Sequence, residues 1–295
     1  MTDLFGIPIQ ALFGQLLLGL VNGSFYAMLS LGLAVIFGLL NVINFAHGAL
    51  YMLGAFIAWM GLSYLGLNYW VMLILAPLVV GLFGILIEKL LLKHLYKLDH
   101  LYGLLLTFGL TLLIEGLFRS FYGVSGQPYP TPEALRGATN LGFMILPNYR
   151  GWVVAASVVV CLATWFVIER TRLGALLRAG TENPRLVEAF GVNVPRMITL
   201  TYGFGVALAG FAGVLAAPVL QISPLMGSNL IIVVFAVVVI GGMGSIMGAI
   251  VTGLGLGVIE GLTKVFWPEA SSTVVFIIMA IVLLIRPAGL FGKEK

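Results

Sequence analysis

Residues 31–56 read LGLAVIFGLLNVINFAHGALYMLGAF, and no charged side chain interrupts them. They lie in the middle of a longer run, from Leu4 to Ile87, that holds no Asp, Glu, Lys or Arg. A second such run extends from Met197 to Ile259. A bilayer crossing takes about 20 mostly apolar residues, so the first run has room for three or four spans and the second for about three. The whole chain of 295 residues is 61% hydrophobic and 9% charged, far short of the roughly 25% charged residues of a soluble domain. The sequence therefore predicts an all-α, polytopic membrane protein, read as one transmembrane domain over 1–295. Strands of a membrane barrel alternate apolar with polar residues. Here Val153–Val167 and Val274–Ile285 are continuously apolar, and a helix satisfies its own backbone in lipid.

Working outward, eight spans are expected near 10–29, 31–41 with 48–62, 69–92, 101–119, 151–168, 199–219, 228–241 with 245–262, and 272–286. Asp3 replaces the basic cluster of a cleavable signal peptide, so the first apolar segment reads as a retained span. Cys161 lies in an apolar stretch and is the single cysteine; it reads as a small packing residue with no disulfide or metal role.

The net charge of +4 does not point to nucleic acid, because its placement follows the membrane. Lys89, Lys93 and Lys97 crowd one connection; Arg170, Arg172, Arg178, Arg185 and Arg196 crowd another; Arg286, Lys293 and Lys295 mark the C-terminal end. Positive residues near span ends favour the cytoplasmic side, which puts these segments, including 169–198, inside. The 120–150 connection, with Pro128, Pro130, Pro132 and Pro147, then falls outside by parity, against its own Arg136 and Arg150.

Two stretches break the helical pattern. Asn41-Val42-Ile43-Asn44-Phe45-Ala46-His47-Gly48 is one; Gly241-Gly242-Met243-Gly244-Ser245 is the other. Asn and Gly are poor helix formers, and inside a membrane such breaks survive only where protein or a watery cavity satisfies the freed backbone. One break in each half is the arrangement of transporters built from internal repeats. Asn44–Leu50 can be laid loosely beside Gly242–Ile250 as a candidate repeat. Gly253, Gly255 and Gly257 read instead as packing glycines. His47, Asn22, Asn41 and Asn44 are each either path-lining groups or hydrogen-bond partners for the freed backbone.

Between Glu169 and Arg196 the sequence carries helix punctuation: Asn183 as N-cap, Pro184 in the first turn and Gly191 past the end. Leu186, Val187 and Phe190 share a face. A helix of about two turns is not stable alone, so it lies either on the protein's own surface or in a partner's groove.

No Gly-x-x-x-x-Gly-Lys-Ser/Thr pattern precedes the single Gly-Lys pair, Gly292-Lys293, so ATP is not bound here by that device. Ion-coupled carriers keep ionisable groups inside their spans. Here Glu115 sits four residues before Arg119 and reads as a local pair, as do Glu260 and Lys264, while Glu88 reads as a solvated boundary charge. Only three histidines occur, with His94 and His100 in the basic connection, which leaves little for an intramembrane enzyme.

The chain closely resembles the branched-chain amino-acid ABC permeases, in particular the smaller, LivH-type subunit. The likeness is carried by Asn44-Phe45-Ala46-His47-Gly48, by Gly174-Ala175-Leu176-Leu177-Arg178-Ala179 through Glu188-Ala189-Phe190-Gly191, by Ala207–Gly213, and by Gly241-Gly242-Met243-Gly244-Ser245. It implies a non-catalytic, multi-pass permease of the bacterial inner membrane, without a cofactor or metal. Its implied partners are a second permease subunit, two ATP-binding subunits on the cytoplasmic side and a periplasmic substrate-binding protein. It implies a translocation path or gate at Asn41, Asn44, His47, Gly48, Gly241, Gly242, Gly244 and Ser245. ATPase coupling is implied at Arg178, Glu182, Asn183, Glu188, Ala189 and Gly191. The alternative function is an ion-coupled secondary carrier for a small neutral or zwitterionic solute.

Overall fold

The computed structural model describes residues 3–4, 7–40, 44–96 and 98–292. Asn41, Lys97, Lys293 and Lys295 lie outside the described residues. The helices in chain order are α1 (Ile9–Leu40), α2 (Ala46–Leu65), α3 (Tyr69–Leu90), α4 (His100–Tyr122), α5 (Asn148–Arg170), α6 (Arg172–Glu182), α7 (Pro184–Ala189), α8 (Val194–Ala216), α9 (Met226–Gly241), α10 (Ile246–Phe266) and α11 (Val274–Ile285). Seven of them are long and apolar enough to cross a membrane, and α9 and α11 are shorter apolar helices. The protein is thus all-α and multi-pass. Strand pairing among the described residues is confined to two short antiparallel pairs, Asp3–Leu4 with Ile7–Pro8 and Ala138–Asn140 with Ile145–Pro147, and one isolated antiparallel bridge between Gln127 and Ile222.

Side-chain caps fix many of the boundaries. Asn68 Oδ1 accepts from Val71 N at 3.0 Å, Asp99 Oδ1 from Leu101 N at 2.9 Å, and Asn193 Oδ1 from Arg196 N at 3.0 Å. Each satisfies an amide that the first helical turn leaves without a partner.

Helices α1 and α8 form the centre: 83% and 72% of their most apolar stretches are buried, against 33%, 28% and 33% for α3, α4 and α5. The outer helices present leucine and aromatic faces such as Leu82, Leu105 and Phe166, as a lipid-facing surface requires. Along α1 and α10 the contact is glycine on glycine. A Cβ at Gly257 would stand 2.3 Å from Gly23 Cα, and one at Gly19 would stand 2.5 Å from Gly257 O. These pairs, with Gly253 against Ala27, run the two helices antiparallel at the closest approach small residues permit.

The partners repeat between the halves. Helix α1 packs on α10 and α9 as α8 packs on α3 and α2; α2 packs on α3 and α4 as α9 packs on α10 and α11. Exchanging α1–α4 with α8–α11 therefore maps each of these contacts onto another. The correspondence differs from the one drawn on the sequence: the start of α2 matches the start of α9, not that of α10.

Two groupings of spans also differ. Residues 31–40 continue α1 rather than joining 48–62. Ser24 and Ser30 donate to the carbonyls of Leu20 and Tyr26 one turn back, so these polar residues stay within the helix. Residues 228–241 and 245–262 are not one interrupted span but a hairpin. Gly242 and Gly244, at φ 100° and 85°, take the left-handed region open to glycine, and Gly241 folds onto Gly248.

The connections sort to two faces. Gln127 and Ile222 exchange backbone hydrogen bonds at 2.8 and 3.1 Å, and Phe13 meets Phe143 at 5.4 Å. The start of α1, the 123–147 connection and the 217–225 segment therefore share one face. The connections 91–99, 171–193 and 242–245 lie at the other, where Leu290 N and Phe291 N donate to the carbonyls of Ile240 and Gly241.

Candidate functional site

Helix α9 has 16 residues and is about 24 Å long, short of the roughly 30 Å hydrocarbon core. The irregular 217–225 segment leads into it, and Asn44 and Phe45 lead into α2. The two helices run past each other at their N-terminal halves. A Cβ at Gly227 would stand 2.0 Å from Gly48 O, and Ile231 also abuts Gly48. Phe45 and Phe235 stack with centroids 6.0 Å apart. Two helix starts thus meet within the bundle, and neither has a side-chain cap.

The polar groups around this junction are buried. Asn44 Nδ2 donates to Tyr202 Oη at 3.0 Å, tying the break to α8. His47 is fully buried, and its Nε2 lies 3.0 Å from Leu29 O. Since a carbonyl only accepts, Nε2 carries a proton, and in a neutral ring Nδ1 is then an acceptor. Phe45 N donates to Thr107 Oγ1 at 3.2 Å. Asn44 Oδ1 and His47 Nδ1 have no hydrogen-bond partner.

Helix α4 faces the junction with its single buried stripe, Gly103, Thr107, Thr111, Ile114 and Glu115. The recurrence of Thr107, Thr111 and Glu115 at four-residue spacing is the sequence signal for this stripe, and reading Glu115 as the partner of Arg119 hid it. Glu115 is 5% exposed, joins none of the three ion pairs among the described residues, and accepts from Ser228 Oγ in the first turn of α9.

The second break lies elsewhere. Ser245 Oγ caps Gly248 N at 3.1 Å, and Gly244 packs on Gly38. His47 packs against Gly32, about 9 Å away along α1 at 1.5 Å per residue. Asn44, His47 and Gly48 are therefore gathered at the junction, whereas Gly241, Gly242, Gly244 and Ser245 form the α9–α10 turn.

Glu88 is not solvated. It is 2% exposed, and accepts from Tyr96 Oη at 3.0 Å and from Thr199 Oγ1 at 2.7 Å. Burial and then the Glu88 carboxylate push the Tyr96 phenol above its ordinary value. Glu260 does pair with Lys264, at 2.6 Å, and also accepts from Tyr26 Oη at 2.7 Å.

In the 171–193 connection, Asn183 Oδ1 accepts from Leu186 N at 3.1 Å and Gly191 takes φ 82°. Glu182, Asn183, Glu188, Ala189 and Gly191 are exposed. Of the apolar trio, Val187 is buried while Leu186 and Phe190 are 55% and 80% exposed. Arg178 is engaged within the chain, donating to Ile168 O at 2.7 Å and pairing with Glu169 at 3.5 Å. Among the described residues no three His, Cys, Asp or Glu side chains gather as a metal site would need.

No solved structure matches the chain. A family profile described as "Branched-chain amino acid transport system / permease component" matches residues 15–284. The permease protein BraD of Pseudomonas aeruginosa is 30% identical, over 95% of this chain and 96% of its own length. The permease protein LivH of Escherichia coli is 28% identical, over 95% and 96%. LivM of the same organism is 30% identical over 92% of this chain but 68% of its own length. All three relatives are named as parts of high-affinity branched-chain amino acid transport systems. Matched nearly end to end by that profile and those relatives, the chain belongs to the branched-chain amino acid transport permease family.

Proposed function

We propose that this chain is the membrane-spanning subunit of an ATP-driven importer for branched-chain or other hydrophobic amino acids, seated in the bacterial inner membrane. The observation that carries the reading is the meeting of α2 and α9 at Gly48 and Gly227, with buried polar groups around it. Discontinuous helices of this kind form cargo sites in transporters with repeated halves. Few fixed charges stand along the path, which suits a zwitterion with an apolar side chain.

The chain itself does no chemistry on its cargo. Its working partners are a second permease subunit of the same family, two ATP-binding subunits and a periplasmic binding protein, with lipid around the outer helices. The basic 91–99, 169–198 and C-terminal segments face the cytoplasm, and 120–150 faces the periplasm. The exposed residues Leu186 and Phe190, flanked by Glu182, Asn183, Glu188, Ala189 and Gly191, dock on an ATP-binding subunit; Arg178 braces that element against α5. Closure of the ATPases moves this element and with it α8. Tyr202 passes the motion to Asn44, His47 and Gly48, and the unplaced Asn41 belongs to the same gate. The turn of Gly241, Gly242, Gly244 and Ser245 acts as the hinge of α9 and α10.

The test is affinity purification of the tagged chain from its native membrane, followed by uptake in proteoliposomes. An ATPase and a second permease should co-purify, and leucine uptake should need ATP and binding protein; Glu188→Arg should release the ATPase. Recovery of a homo-oligomer without an ATPase, taking up solute on an ion gradient, would instead establish a secondary carrier.

A further inference from the structure

Among the described residues, the α2–α9 junction has buried acceptors left without donors. Asn44 Oδ1 and His47 Nδ1 are buried acceptors with no partner, and Asn44 and His47 are 1% and 0% exposed. Glu115 adds a carboxylate that, among the described residues, accepts from one neutral hydroxyl, that of Ser228. Other carboxylates are better compensated: half-buried Glu260 has the Lys264 ammonium and a phenol, and buried Glu88 has two hydroxyl donors. A carboxylate at membrane depth without a cation is costly and is kept for a purpose. An ammonium group supplies what is lacking, a positive charge with three donors and no acceptor.

We propose that Glu115 is the ammonium-binding residue of the path, holding the cationic end of a zwitterionic amino acid where α2 and α9 begin. Thr107, which holds Phe45 N, lies two turns from Glu115 on α4, about 12 Å along the axis. Polar acceptors therefore extend from the level of Asn44 to Glu115, and the ammonium moves between them as the gate changes state. Specificity then divides: Glu115 demands an amine, and the apolar walls, including Phe45 and Phe235, accept the hydrocarbon side chain. This inference rests on the importer reading.

The experiment uses the complete transporter with its binding protein in proteoliposomes. Glu115→Gln should assemble with its partner subunits and lose leucine uptake by about tenfold or more, the scale of one hydrogen bond to a charge. Ser228→Ala keeps the charge and should lose only about threefold, the scale of a neutral hydrogen bond. Equal losses in the two variants would mean that the pair is only a clasp between α4 and α9, and would overturn the proposal. A measurement on the unmodified protein covers failure of Glu115→Gln to assemble. A hydrophobic carbodiimide should label Glu115, and leucine should protect it where 4-methylpentanoate, the same skeleton without the amine, does not. Equal protection by both, or by neither, would also overturn it. Absence of ATP-dependent uptake by the wild-type complex would sink the importer reading itself, a result distinct from these.

Discussion

The α1–α10 contact and the α2–α9 contact are both antiparallel and both close enough to exclude a side chain, yet they are built for opposite ends. Along α1–α10 the small residues Gly19, Gly23, Ala27, Gly253, Gly257 and Gly261 recur, so the backbones touch over most of the helices' length. Helices α2 and α9 meet at their N-terminal halves, Gly48 against Gly227 and Ile231, and their surroundings are Asn44, His47, Thr107 and the Glu115–Ser228 pair. In lipid, no hydrophobic force drives helices together, so continuous close packing supplies the stability. The polar α2–α9 contact contributes less to that, and on the proposed function it is the part that rearranges. On the function proposed above, the difference separates a frame from a gate.

The largest effect should come from breaking the frame. Gly257→Leu forces a side chain into the Gly23 backbone and should cost about 3 kcal/mol or more, since overpacking has nowhere to relax. Gly255→Leu, two residues away in open space, should leave melting in detergent unchanged; equal loss in both would refute the glycine seam. Next is Glu88→Gln at the equivalent α3–α8 seam. It weakens charge-assisted bonds from Tyr96 and Thr199, and a loss of about 2 kcal/mol is expected, read in the same melting assay. The smallest stability effects should fall on the gate. Tyr202→Phe removes one neutral hydrogen bond and should cost about 1 kcal/mol, while Asn44→Ala should cost about as much and cut transport further. If Asn44→Ala destabilised the protein as severely as Gly257→Leu, the division between frame and gate would fail.

Much of this was legible in the residues. The charge-free runs from Leu4 to Ile87 and Met197 to Ile259 determine the membrane class, because few other environments tolerate them. The Asn183-Pro184 cap and the Glu260–Lys264 pair are local, and local chemistry reads well from one chain. The non-local features were hidden. The boundary drawn between 10–29 and 31–41 falls on Ser30, whose bond to the Tyr26 carbonyl keeps it inside one helix. Glu88 looks like a boundary charge because Thr199, its partner, lies 111 residues away. Glu115 looks paired with Arg119 because Ser228 lies 113 residues away. The start of α9 escaped notice for a similar reason: Ser223-Pro224-Leu225-Met226-Gly227 carries no strong signature until Gly227 is seen against Gly48. The glycines at 241–244 attracted attention through composition, yet they serve a hairpin turn.

The most direct test asks whether water reaches the α2–α9 junction during the transport cycle. In the assembled transporter, with buried Cys161 replaced by serine, Ser228→Cys would be probed with a membrane-impermeant thiol reagent. Labelling would be compared in the nucleotide-free state and in a state trapped after ATP binding. A path at this junction predicts that the thiol reacts in one state and is shielded in the other, with leucine slowing the reaction. A thiol that reacts in neither state while the same complex still imports leucine would place the path elsewhere.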